Sequence, residues 1–209
     1  MFLKTCVRLL RALLFVEICL VCGQEGSLLH PQCIKAFAPA PEHSLPWVRS
    51  NLLYQDPIVK RLIHQIKQKP STDILDICLK GISFPYSSDM KIILIPIPAS
   101  PDRMKHYGFN QAYQLASAVA RYYRNYTVCD ILEHTKISTQ KQALLKIRTE
   151  RLKNKYNTFS LSEEHYGKIR NKDIIIIDDV STTGATLIEA RRVLKNAGPT
   201  SIRAWTLSH

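Results

Sequence analysis

The sequence predicts an α/β domain, a mostly parallel sheet flanked by helices, preceded by a small cysteine-bearing segment. Three observations carry this. Two short runs, Lys91–Ile97 (KIILIPI) and 173–178 (DIIIID), are β-branched and apolar almost throughout, as in strands buried on both faces. Segments with helical spacing alternate with such strands over the later part of the chain. Cys19, Cys22, His30 and Cys33 cluster ahead of the proline-bearing stretch Pro39–Pro46. With 209 residues, 45% of them hydrophobic, the chain suits one domain and an appendage. The expected division is 1–38 for helix and knuckle and 46–209 for the α/β domain.

The elements follow in order. Phe2–Glu17 places Leu9, Leu10, Leu13, Leu14 and Val16 on one face of an amphipathic helix. A signal peptide is the rival reading. Arg8, Arg11 and Glu17 interrupt its core, and no small-x-small cleavage site follows. The expectation is a cytoplasmic protein with no transmembrane segment. Residues 18–36 form the knuckle and 39–46 a linker, with a strand expected at Trp47–Tyr54. Asp56-Pro57 starts a helix to about Lys69, with Asp as cap and Pro at the first position. Ser71–Ile82 reads as helix, Lys91–Ile97 as strand, Gly108–Arg124 as helix and Thr127–Leu132 as strand. Thr135–Tyr156 is long, polar and basic. Strand 173–178, helix 185–196 and strand 201–207 complete the alternation.

The stretch Ile174–Thr186, IIIIDDVSTTGAT, carries the chemistry. Asp178 and Asp179 end a buried strand. Val180, Ser181, Thr182, Thr183, Gly184, Ala185 and Thr186 then lead into a helix. Open α/β sheets bind ligands at such turns. A helix amino terminus offers unpaired N–H groups and a positive dipole end, which suit phosphate. Gly184 lets backbone approach an anion, and the hydroxyls of Thr182, Thr183 and Thr186 can donate to its oxygens. Carboxylates repel phosphate, so Asp178 and Asp179 need another partner: vicinal sugar hydroxyls, directly or through hydrated Mg²⁺. A ribose 5-phosphate satisfies both halves. A Walker B strand of a nucleotide hydrolase also ends in acids, but it needs an upstream GxxxxGK[ST] loop. The only Gly-Lys pair, Gly167-Lys168, lacks the preceding glycine.

Residues 174–186 resemble the phosphoribosyl pyrophosphate (PRPP) loop of type I phosphoribosyltransferases: an apolar strand, two acids, then TTGxT. The resemblance implies that fold and Mg²⁺-dependent PRPP chemistry. A second candidate element is PIPASPDRMKHYGFNQ, residues 96–111, at the end of the strand 91–97. Ala99 and Ser100 can form a pyrophosphate nest, and Arg103 and Lys105 add charge. The bland reading is a solvated basic loop. The PxP strand end, GFNQA at Gly108–Ala112, and Glu150, Arg151, Asn154 and Phe159 narrow the resemblance to the ComF family. That family is phosphoribosyltransferase-like and has an amino-terminal cysteine knuckle. Tyr107 stands where it usually has Arg, and the stretch from Gln142 to Arg151 is slightly longer than its pattern. By the same resemblance, residues 135–157 are a mobile loop that closes over the site, with Arg151 foremost, then Arg148 and Lys141, reaching the leaving pyrophosphate. A charged exposed helix is the alternative.

Cys19-x2-Cys22-x7-His30-x2-Cys33 has the ligand spacing of a structural zinc knuckle, with Gly23 and Gly26 for turns. A redox CxxC is the alternative, without a thioredoxin-like strand before it. Cys6, Cys78 and Cys129 are scattered, which suits a reducing compartment. The net charge of +12 predicts anionic partners. The expected ligands are PRPP with Mg²⁺ and an acceptor, a nitrogen nucleophile, that no residue identifies. Asp178, Asp179 and Arg151 are the catalytic candidates. The alternative is a non-catalytic module in DNA uptake, implied by the family's link to natural competence. Its partners are single-stranded DNA, a competence protein or a second copy of the chain, with no membrane.

Overall fold

In a computed structural model, residues 17–68, 72–82, 84, 91–135 and 158–209 are described. The expected first helix lies outside them except for Glu17, and so do Lys141, Arg148 and Arg151. The strands are β1 (Val48–Leu52), β2 (Ile92–Pro96), β3 (Tyr126–Val128), β4 (Glu133–His134), β5 (Phe159–Ser160), β6 (Asp173–Val180) and β7 (Ser201–Ser208). The helices are α1 (Pro57–Gln68), α2 (Thr72–Gly81), α3 (Pro101–Tyr107), α4 (Gln111–Tyr122), α5 (Tyr166–Ile169) and α6 (Ala185–Lys195).

Five strands form one sheet in the order β1-β7-β6-β2-β3, every pair parallel. Parallel neighbours need crossovers, and the helices supply them. β6 is central and buried on both faces, as its isoleucines predict. Ile175 and Ile177 join the core with α1, α2 and α4, while Ile174 and Ile176 join the core with α6. All four are fully buried, each contributing roughly 1.5–3 kcal/mol of apolar burial. The chain leaves β2 toward β3 on one side, and β6 toward β7 on the other. The carboxyl ends of β2 and β6 therefore flank a topological switch point, where open sheets bind ligands.

Helix α1 begins as the Asp56-Pro57 signal predicts: Asp56 Oδ1 accepts from Ile58 N at 2.7 Å and Val59 N at 3.4 Å. Three differences from the sequence reading stand out. Residues 101–107, expected as loop, form α3, capped by Ser100 Oγ accepting from Arg103 N at 3.3 Å. The helix expected from Gly108 starts at Gln111, because Asn110 caps it, its Oδ1 accepting from Ala112 N at 3.0 Å. The strand expected over Thr127–Leu132 is only three residues long, since its ladder with β2 ends at Val128.

The stretch 39–46, expected as a linker, is packed against the domain. Ala40 N donates to Asn51 O at 2.9 Å and Leu53 N to Ala38 O at 2.8 Å, and His43 is buried. The knuckle shares the main core: Leu29, Ile34 and Phe37 pack with residues of α1 and α2. Too small to bury apolar surface alone, it uses the sheet domain's.

Candidate functional site

The loop after β6 turns at Gly184, whose φ of +71° is left-handed. A Cβ there would lie 2.5 Å from Leu45 Cδ1 and 3.3 Å from His43 Cε1, so space and conformation both call for glycine. Asp178, Val180, Ser181, Thr182, Thr183, Gly184, Ala185, Thr186 and Leu187 line one concavity. Thr182, Thr183 and Thr186 are exposed. Thr183 Oγ1 accepts from Ala185 N, the first N–H of α6, at 3.4 Å, and Gly184 has no side chain to cap the helix, so the following N–H groups of Thr186 and Leu187 are the ones left for an anion.

The two acids are buried, Asp178 8% and Asp179 4% exposed. Asp178 Oδ1 accepts from Asp179 N, and Asp179 Oδ1 from Val180 N, both at 2.9 Å. Burial first, then the neighbouring Asp179 carboxylate, holds Asp178 well above the usual carboxylate range; Arg103 pulls weakly the other way. Alternation along β6 starts Asp178 on the α6 face and Asp179 on the α1 face. Lys67 from α1 places Nζ 2.9 Å from Asp179 Oδ2. The approach is an ion contact without directed hydrogen-bond geometry, so Oδ2, shielded from water, keeps accepting capacity.

The second candidate element lies across the switch point. Ala99 and Ser100 are half-buried beyond the end of β2, but the Ser100 hydroxyl is engaged as the cap of α3. Arg103 is exposed and its charge reaches Asp178. Lys105 is exposed on the same helix, and nothing brings it to the acids. Tyr107 packs edge-on to His106 at 4.5 Å. Asn110 Nδ2 donates to Ile97 O at 3.0 Å, tying α4 to the end of β2. β4 and β5 pair antiparallel, and His134 Nε2 donates to Pro98 O at 3.1 Å. β4 thus lies beside Pro98, with β5 paired to it; Arg151 lies outside the described residues.

The cysteine cluster assembles as its spacing predicts. Ligand atoms of Cys19, Cys22, His30 and Cys33 all lie within 4.8 Å of one another. Gly23 turns the loop with φ of +71°, its N–H donating to Cys19 O at 3.0 Å. Burial pushes the Cys19 thiol up, but hydrogen bonds led by the Cys22 and Val21 backbone outweigh it and bring it to about 6. Burial, then the Cys22 and Cys19 side chains, raises Cys33 to about 11. Three sulfurs and an imidazole at this spacing suit zinc. Cys78 and Cys129 form no disulfide.

Sequence reasoning missed two residues at the site, Lys67 and His43. Lys67 sits in the last turn of α1, where a basic residue is ordinary. His43 lies 138 positions from its partner Ser181, beyond the reach of any local pattern.

An acid pair and a phosphate-ready turn at a switch point define a phosphoribosyltransferase-like domain. Residues 110–208 match the family model for the phosphoribosyl transferase domain. The chain is 29% identical over 206 residues to competence protein ComFC of Bacillus subtilis (strain 168), covering 91% of this chain and 77% of that one. It is 25% identical over 198 residues to DNA utilization protein YhgH of Escherichia coli O157:H7, covering 91% and 83%. A Trypanosoma cruzi hypoxanthine phosphoribosyl transferase structure overlaps with a TM-score of 0.33 at 14% identity, over 71% of this chain and 65% of that one. The chain thus carries a phosphoribosyl transferase domain over residues 110–208 and is similar along most of its length to the ComF competence proteins.

Proposed function

We propose that the protein binds PRPP at the switch point and transfers its phosphoribosyl group to a nitrogen acceptor, releasing pyrophosphate. The carrying observation is the joint placement of a buried acid pair and the concave cradle 181–187 at one strand end. The 5-phosphate sits on Ser181 to Thr186, held by hydroxyls and the N–H groups of α6. The ribose hydroxyls donate to Asp178 and Asp179, for which the accepting Oδ2 of Asp179 is available. Mg²⁺, when bound, neutralises charge on the leaving pyrophosphate, and the buried carboxylates suit a hard cation. Arg103 contributes positive charge, and Ala99, Ser100 and Lys105 complete the pyrophosphate side. Asp179 stabilises the cationic C1 or accepts a proton from the acceptor. Arg151, which lies outside the described residues, supplies positive charge to the pyrophosphate, as the family resemblance implies.

Around this site the proposal keeps a structural zinc at Cys19, Cys22, His30 and Cys33, in an amino-terminal unit ending near residue 38. Among the described residues no helix is long and apolar enough to cross a membrane. The cysteines among the described residues form no disulfide, which fits a reducing compartment and a cytoplasmic protein. Calorimetry with Mg²⁺-PRPP, followed by a pyrophosphate-release assay across bases and amines, tests the proposal.

One observation favours a second reading. Lys67 pairs with Asp179, which occupies part of the acid pair with a protein charge, and the relatives carry competence and DNA-utilization names. A domain that binds PRPP without transferring it, while its net charge of +12 meets single-stranded DNA or a protein partner, fits these facts. PRPP binding without pyrophosphate release, together with salt-sensitive DNA binding, would select it.

A further inference from the structure

The packed stretch 39–46 places a histidine behind the phosphate cradle. His43 is 7% exposed. Its Nδ1 accepts from Leu45 N–H at 3.0 Å. A neutral imidazole whose Nδ1 accepts must carry its proton on Nε2. That Nε2 lies 2.9 Å from Ser181 Oγ, so the ring donates and the hydroxyl accepts. Burial, then the adjacent His209, lowers the His43 pKa and supports the neutral ring.

Ser181 is held a second way. His209 Nδ1 donates to Ser181 O at 3.0 Å, and the rings of His43 and His209 lie 4.2 Å apart. Ser181 is itself buried and lines the cradle beside Asp178, Thr182 and Thr183. A hydroxyl has one proton. With His43 filling its accepting side, and no acceptor for that proton among the described residues, the proton is left for an occupant of the cradle. Leu45, two residues on, packs against Gly184 and backs the turn that carries the cradle's N–H groups.

We propose that His43 is a positioning residue: it orients the Ser181 hydroxyl so that its proton is donated to a phosphate monoester seated in the 181–187 cradle. The inference rests on the phosphoribosyl reading above and adds a residue that reading lacks. It makes the stretch before β1 part of the phosphate site.

The test is calorimetry with ribose 5-phosphate on the full chain and on His43→Phe, His43→Gln, Ser181→Ala and the His43→Phe/Ser181→Ala double variant. Losing a hydrogen bond to a charged group predicts about tenfold weaker binding for His43→Phe and for Ser181→Ala. The double variant should bind no worse than Ser181→Ala, since both changes remove one donor. His43→Gln, which keeps an N–H near the Nε2 position, should recover most of the affinity; a purely space-filling role would not favour Gln over Phe. Unchanged affinity in folded His43→Phe, or additive losses in the double variant, overturns the inference alone. If wild type does not bind ribose 5-phosphate, the phosphoribosyl reading falls and the inference with it. Nitrogen-15 NMR of the wild type needs no variant: an Nε2–H tautomer at His43 is expected, and an Nδ1–H tautomer overturns the proposal.

Discussion

Lys67 Nζ lies 2.9 Å from Asp179 Oδ2, with side-chain exposures of 22% and 5%. The second acid of the pair therefore has its counter-charge on α1. Cutting the lysine back leaves a buried carboxylate without its counter-charge. Lys67→Met is expected to lower stability by about 1–3 kcal/mol, read from urea melts in chelator. Millimolar Mg²⁺ should recover part of the loss in the variant more than in wild type. Unchanged stability would show that the pair contributes nothing.

Asp178 sets a pH dependence. Its folded pKa is raised, so the folded state binds more protons than the unfolded state between the ordinary carboxylate value and the raised one. This contribution to stability is complete at acid pH and is lost as pH rises toward the folded value. Asp178→Asn removes that loss. At pH 8 without ligand the variant should melt at least about 2 °C above wild type, although it binds PRPP worse. A lower melting temperature would contradict the burial and like-charge account.

Gly184→Ala meets both a left-handed φ and Leu45. The expected cost is roughly 1–3 kcal/mol from the backbone conformation alone, with weaker ribose 5-phosphate binding. Adding Leu45→Ala, which vacates the contacted space, should recover some stability. No recovery would mean that the backbone accounts for the whole effect.

The knuckle predicts a metal stoichiometry. Protein purified without chelator should carry about one zinc per chain, and Cys33→Ala less than half. Because the knuckle shares the main core through Leu29, Ile34 and Phe37, metal loss should also lower the melting temperature of the whole chain. Full zinc in Cys33→Ala would remove Cys33 from the ligand set.

What could be read from sequence divides along physical lines. β6 was legible because four consecutive isoleucines fit a strand buried on both sides, and the structure shares them between two cores. α1 was legible because Asp56-Pro57 is a local capping signal. α3 was not: none of its residues is buried, so it leaves no apolar period. The acids, the hydroxyl loop and the knuckle are contiguous or closely spaced, so their chemistry shows in one dimension. Lys67 and His43 reach the carboxyl end of β6 and the loop after it from distant positions, by the packing of α1 on the sheet and of 39–46 on the loop.

In the proposed function the end of β6 holds a phosphoribosyl group. Calorimetry of Mg²⁺-PRPP with wild type and with the Asp178→Asn/Asp179→Asn double variant tests it most directly. Saturable binding by wild type, weakened at least about tenfold in the variant, is the predicted result. No binding by wild type, or equal binding by both, would contradict it.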